Sequence, residues 1–173
     1  MNKKTITIFG TGRAKAVSSA YKLAYETGKI LAQASFKIAN GGYGGTMLAA
    51  AKGAAEAGGE TIGVTCTAFG QGRANEYITR EIVTHSLDER LDTLIKLGQA
   101  YIVLPGGTGT LLELAKVWEL KNKGFLDTNK PIILIGRYWK PLIDLITNDD
   151  PDSSRHIKLA DKPKQIVELI TNN

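Results

Sequence analysis

Few local architectures accept the stretch Leu104-Pro105-Gly106-Gly107-Thr108-Gly109-Thr110-Leu111-Leu112-Glu113. Ala100 to Leu104 is continuously apolar and reads as a buried strand. It stops at a proline and three glycines, and a helical pattern follows from Leu111 to about Lys121. A strand that feeds a helix N-terminus through a tight glycine loop makes an anion site. The loop presents backbone N–H groups, and the helix dipole favours negative charge there. Gly106, Gly107 and Gly109 allow the close approach that a Cβ would block, and Thr108 and Thr110 add hydroxyl donors. The same residues also admit a purely structural reading. Thr110-Leu111-Leu112-Glu113 fits the capping box, in which Thr and Glu satisfy free N–H groups of the helix.

The flanking sequence supplies the frame for such a loop. Thr5–Phe9 alternates as a first strand and ends at Gly10-Thr11-Gly12-Arg13. Helical spacing runs from about 18 to 34. A short strand at 36–39 leads into a second glycine loop, Asn40-Gly41-Gly42-Tyr43-Gly44-Gly45, and an Ala-rich helix from Thr46 to Ala57. A third strand spans 61–64. Residues 65–80 are irregular and polar and read as a flap over a site. A strand at 81–84 precedes a helix over 87–97 with Ser86 as N-cap. Beyond the central loop come a strand at 132–135, a helix at 139–146 and a last helix opened by Pro163.

Strands alternating with helices predict an α/β fold: a Rossmann-like, doubly wound, mostly parallel sheet with helices on both faces. The 173 residues suit a single nucleotide-binding-type domain over 1–173. In such a sheet every βα loop lies at the carboxyl edge of the strands. The glycine loops at 10–13, 41–45 and 105–110 are therefore expected to face one crevice. Gly10, Thr11, Gly12, Gly42, Gly44 and Gly45 join Gly106 to Thr110 as candidate ligand-binding positions.

Composition excludes several alternatives. The net charge of +5 is scattered, with only Lys3-Lys4 as a basic pair, so no nucleic-acid face is indicated and an anionic small molecule fits as well. One cysteine, Cys66, rules out an internal disulfide and a multi-cysteine metal site. His85 and His156 have no ligand-spaced partners, so no metal is assigned. No apolar run approaches the ~18 residues of a membrane span, and no signal segment is visible, so a cytoplasmic location is expected. The first loop is not a dinucleotide fingerprint: Lys15 stands where its third glycine belongs, and Asn40-Gly41 where its acidic residue belongs. There is no P-loop and no Gly-x-Ser-x-Gly elbow.

Arg90 is oddly placed, since a cation in the first turn of a helix opposes the dipole. It is read either as a solvated partner of Asp88 or Glu89, or as a crevice residue that grips an anion bidentately. The helix from Leu87 runs away from the loop edge and the strand to Leu104 runs back. Arg90 and Glu113 are thereby expected at the same edge.

Pro105-Gly106-Gly107-Thr108-Gly109-Thr110-Leu111-Leu112-Glu113 resembles the PGGxGTxxE motif of the Lonely Guy (LOG) proteins, many of them long labelled possible lysine decarboxylases. Phe9-Gly10-Thr11-Gly12, Gly41 to Met47 and Asp88-Glu89-Arg90 resemble further segments of that family, over roughly residues 5–150. The resemblance implies a homodimer without cofactor. It would cleave a nucleoside 5′-monophosphate, AMP or an N6-modified AMP, to free base and ribose 5-phosphate. It further implies that Gly106, Gly107, Thr108, Gly109 and Thr110 bind the phosphate, with Arg90 and Glu113 as the catalytic pair. No pattern marks a Schiff-base lysine. Asn40 to Ala54 also resembles the molybdenum-cofactor carrier branch of the same fold, which implies a carrier without catalysis.

Overall fold

In the computed structural model, which describes residues 3–172, seven strands form one sheet flanked by six α-helices. In chain order these are β1 (Thr5–Phe9), α1 (Ser19–Gln33), β2 (Lys37–Asn40), α2 (Thr46–Glu56), β3 (Thr61–Cys66), β4 (Arg80–Thr84) and α3 (Leu87–Leu97). There follow β5 (Ala100–Val103), α4 (Thr108–Asn122), β6 (Ile132–Ile135), α5 (Lys140–Asp149), β7 (Ile157–Ala160) and α6 (Lys164–Thr171). Every strand pair is parallel, in the order β4-β3-β2-β1-β5-β6-β7.

The pleat sorts the core into two layers. Ile6, Ile8, Ile102 and Ile133 meet α1, α2 and α6 on one face. Phe9, Tyr101, Val103 and Leu134 meet α3, α4 and α5 on the other. Burial on both sides explains why β5 and β6 run apolar without alternation. The strand order reverses at β1. The chain steps outward through β2, β3 and β4, then returns to place β5 on the other flank of β1. Loops leaving β1 and β5 diverge there and open a crevice at the sheet's carboxyl edge.

The doubly wound α/β expectation is borne out, with all pairings parallel. Three local expectations need correction. β7 and the 3₁₀ segment before it, Pro151–His156, were not anticipated: Ile157-Lys158-Leu159-Ala160 is a four-residue edge strand, too short to stand out as a period. β3 extends two residues further than read, to Cys66. The capping box lies on a different helix. Helix α4 begins at Thr108 with Gly107 as an N-cap that makes no side-chain bond, so Thr110 is already in the first turn and caps nothing. The reciprocal pair is on α3, where Ser86 Oγ accepts from Glu89 N–H at 3.1 Å and Glu89 Oε2 accepts from His85 N–H at 2.7 Å. No helix among the described residues is long and apolar enough to cross a membrane.

Candidate functional site

The crevice at the switch point is a cavity of about 440 Å³. Three loops wall it, as topology requires. Gly10, Thr11 and Gly12 come from the loop after β1, Gly44 from the loop after β2, and Gly107, Thr108, Gly109 and Thr110 from the loop and first turn after β5. Three predicted positions shape the walls instead of lining them. Gly45 takes φ 64° at the start of α2 and lies against the backbone of Thr11 and Gly12. Gly42 donates its N–H to Asn40 Oδ1 at 2.8 Å, and its carbonyl accepts from Asn75 N–H at 2.7 Å. Gly106 sits beneath the Thr110 side chain, and its carbonyl accepts from Tyr138 Oη at 2.9 Å. Trp139 Nε1 donates to Leu104 O at 3.0 Å, so two aromatic side chains hold the β5–α4 loop from behind.

The rim and the floor differ in character. At the rim, Gly107, Thr108 and Gly109 are exposed, and α4 opens with neither a side-chain cap nor an acidic residue in its first turn. Its leading N–H groups are left for solvent or a ligand. Beside them Thr110 is 2% exposed, and among the described residues its Oγ1 is the buried side-chain oxygen without a hydrogen-bond partner. Such an orphan hydroxyl is costly in a fold that has no use for it.

At the floor, Arg90 and Glu113 meet, 6% and 8% exposed. Arg90 Nη1 lies 3.7 Å from Glu113 Oε1, an ion pair too long for a hydrogen bond. Both groups thus keep hydrogen-bonding capacity for something between or above them. Neither reading of Arg90 as the partner of Asp88 or Glu89 holds, because Glu89 is spent on the helix cap. Arg90 Nε donates to Val64 O at 2.8 Å, which pins the guanidinium to the end of β3. Burial pushes the Glu113 carboxyl up to about 7, against the opposing pull of Arg90. The carboxylate therefore changes charge near neutral pH.

Several lining residues are not among the candidate positions the sequence singled out. Tyr43, Met47, Phe69, Gln71 and Arg13 all border the cavity. Tyr43 sits inside the second glycine loop, and Phe69 is the lone aromatic in the irregular stretch before Gly70. Either could have been singled out as an apolar side chain among residues that otherwise do not pack. Gly41 has a less visible role. A Cβ there would lie 2.9 Å from Arg90 Cζ, nearer still to Nη2, and 2.6 Å from Met47 Sδ. The absence of a side chain at 41 is what lets the guanidinium lie flat in its seat.

The chain is similar to several known proteins. A family model described as "SLOG cluster4 family" matches residues 3–167. A cytokinin riboside 5′-monophosphate phosphoribohydrolase of Rhodococcoides fascians is 30% identical over 148 residues, which are 83% of this chain and 74% of that protein. Among solved structures, the molybdenum cofactor binding protein of Rippkaea orientalis superposes with a TM-score of 0.81 at 28% identity, covering 99% of this chain and 98% of the other. The molybdenum cofactor carrier protein of Chlamydomonas reinhardtii gives 0.79 at 26% identity, again covering 99% and 98%.

Proposed function

The chain belongs to the SLOG cluster4 family, and from that premise we propose that it hydrolyses the N-glycosidic bond of a nucleoside 5′-monophosphate, AMP or an N6-modified AMP. The products are free base and ribose 5-phosphate. The observation that carries the proposal is the pairing of a floor and a rim. The Arg90–Glu113 ion pair, 3.7 Å apart, lies in the same cavity as an uncapped helix N-terminus with an orphan hydroxyl.

The 5′-phosphate takes the free N–H groups of Gly107 to Thr110 and the Thr110 hydroxyl, where the α4 dipole favours its charge. The ribose then lies over the floor. As the bond between C1′ and the base nitrogen lengthens, positive charge grows on the sugar ring, as in other glycoside cleavages. The Glu113 carboxylate stabilises that charge and orients a ribose hydroxyl or the incoming water. Water supplies the new C1′–oxygen bond, one of its protons leaves with the base, and the base keeps the electron pair of the broken bond. Arg90, held by Val64, carries its charge beside the departing ring or the sugar oxygens. Preorganised charges in a dry pocket typically supply a few kcal/mol of barrier reduction.

The test is direct. Purified protein is incubated with a panel of nucleoside monophosphates, and released base is resolved by liquid chromatography. Turnover of at least one purine monophosphate is expected, and Glu113→Gln should abolish it while retaining ligand binding. A second reading has its own support. The two molybdenum-cofactor proteins match nearly end to end, whereas the named hydrolase matches 74% of its own length. On that reading the rim grips the phosphate of a pterin cargo and no bond is cut. Retention of a pterin ligand with no product from any nucleotide would favour it.

A further inference from the structure

The cavity has a second, apolar end that a phosphate cradle does not explain. Tyr43, Phe69 and the Arg90 guanidinium form a triangle there. The two rings are 6.3 Å apart at 45°, and Arg90 Cζ lies 5.9 Å from the Tyr43 centroid and 5.4 Å from that of Phe69. Tyr43 is fixed. Its ring is buried, and its hydroxyl both accepts from Cys66 N–H at 2.8 Å and donates to Cys66 O at 3.1 Å.

Phe69 is held differently. It is 37% exposed and ends a single 3₁₀ turn, Thr67–Phe69. Gly70 and Gly72 follow at φ 63° and 75°, and a Cβ on either would meet nothing within 4 Å. This strap stands clear of the body of the protein, yet both its ends are tied down. Cys66 holds one end through Tyr43. At the other, Ala74 N–H donates to Glu81 Oε1 at 3.0 Å, and Asn75 Nδ2 donates to the carbonyls of Gly42 and Tyr43 at 3.0 and 2.8 Å. The strap therefore hangs from the second glycine loop and carries Phe69 and Gln71 over the cavity.

Aromatic rings and guanidinium planes are the groups that stack on flat conjugated heterocycles. We infer that Phe69 is the specificity-determining residue of the pocket: with Arg90 it stacks on the planar ring of the ligand, and the strap at 67–73 settles over that ring. The inference rests on the nucleotide reading above and adds what that reading leaves open, the selection made at the end of the cavity away from the phosphate. The ligand class is a phosphate ester that carries a flat nitrogen heterocycle. Gln71 on the same strap offers an amide to the ring's polar edge.

The test compares affinities of the full chain for AMP and for ribose 5-phosphate, which shares the phosphate and sugar but lacks the ring. The wild-type protein is expected to prefer AMP. Phe69→Leu keeps apolar bulk without a π-face, and should lower that preference about five- to 150-fold, the range that base–aromatic stacking supplies. Phe69→Trp should preserve or raise it. An unchanged AMP to ribose 5-phosphate ratio in Phe69→Leu overturns the inference, including the case where both affinities fall in parallel through a purely structural role. A wild-type protein that binds both probes equally overturns it while leaving the phosphate cradle standing. A wild-type protein that binds neither overturns the cradle reading as well.

Discussion

Gly41→Ala is a perturbation whose first effect falls on two side chains, the Arg90 guanidinium and the flexible end of Met47. Gly41 is not among the glycines with positive φ, so alanine meets no backbone penalty there. Its Cβ would nevertheless lie 2.9 Å from Arg90 Cζ, against about 3.5–4.0 Å for an ordinary contact. The guanidinium must retreat by at least roughly 1 Å, the difference between those contact distances, since Nη2 lies closer than Cζ. It has little room to do so, since Nε is bonded to Val64 O at 2.8 Å and Nη1 faces Glu113. A displacement of that size at a catalytic group costs on the order of 100-fold in rate, or about 2.7 kcal/mol of barrier. The assay is kcat/KM for adenine release from AMP, with the melting temperature followed in parallel. Arg90→Lys supplies the control, because lysine lacks the Nη2 branch that the methyl group strikes. In that background Gly41→Ala should cost little more. If Gly41→Ala retained wild-type kcat/KM, or if the two substitutions simply added, the seat would not be what positions Arg90.

Three further outcomes are expected. Thr110→Val removes the buried hydroxyl without a partner, so it should stabilise the ligand-free protein by about 1 kcal/mol while weakening ribose 5-phosphate binding roughly tenfold; calorimetric titration and thermal melting check the two halves separately. Glu113 titrates near 7 in the fold, above its ordinary value of 4.5. The unfolded chain therefore loses this proton first, and stability falls as pH rises from about 4.5 to 7, with a plateau beyond. By linkage the penalty above pH 7 is on the order of 3 kcal/mol, so Glu113→Gln should raise the melting temperature at pH 8 and not at pH 4. The same carboxylate should give kcat/KM a rising limb centred near pH 7, and a flat profile across that range would remove Glu113 from the reaction.

Much of the frame is legible in the sequence. The loops after β1, β2 and β5 are marked by clustered glycines, so their shared crevice follows from connectivity alone. The approach of Arg90 to Glu113 followed too, because a helix that leaves an edge and a strand that returns to it cover the distance between them. The PGGTGT segment carried the LOG resemblance, which the family match bears out. What stayed hidden was tertiary. A Thr-x-x-Glu spacing looks the same whether its helix starts at Thr108 or Leu111, and only the seating of the loop by Tyr138 and Trp139 decides it. Nothing in the spacing of the second glycine loop shows that a guanidinium occupies the space a side chain at Gly41 would take. Phe69 lay in a stretch with no period at all, where only the path of the strap shows what it faces.

The position of β1 in the sheet has a consequence for how the molecule is made. It precedes the other six strands of the sheet in the chain, yet it lies in the interior of the sheet, between β2 and β5. One flank finds its partner early, with Ile6 opposite Ile38. The other must wait for Ala100 to Val103 to emerge. Until then a nascent chain presents an open, apolar strand edge, the kind of surface on which ribosome-bound intermediates stick to one another. Sequence separation of this order slows closure of the sheet, so substitutions in β5 should act on yield during expression before they act on the finished protein.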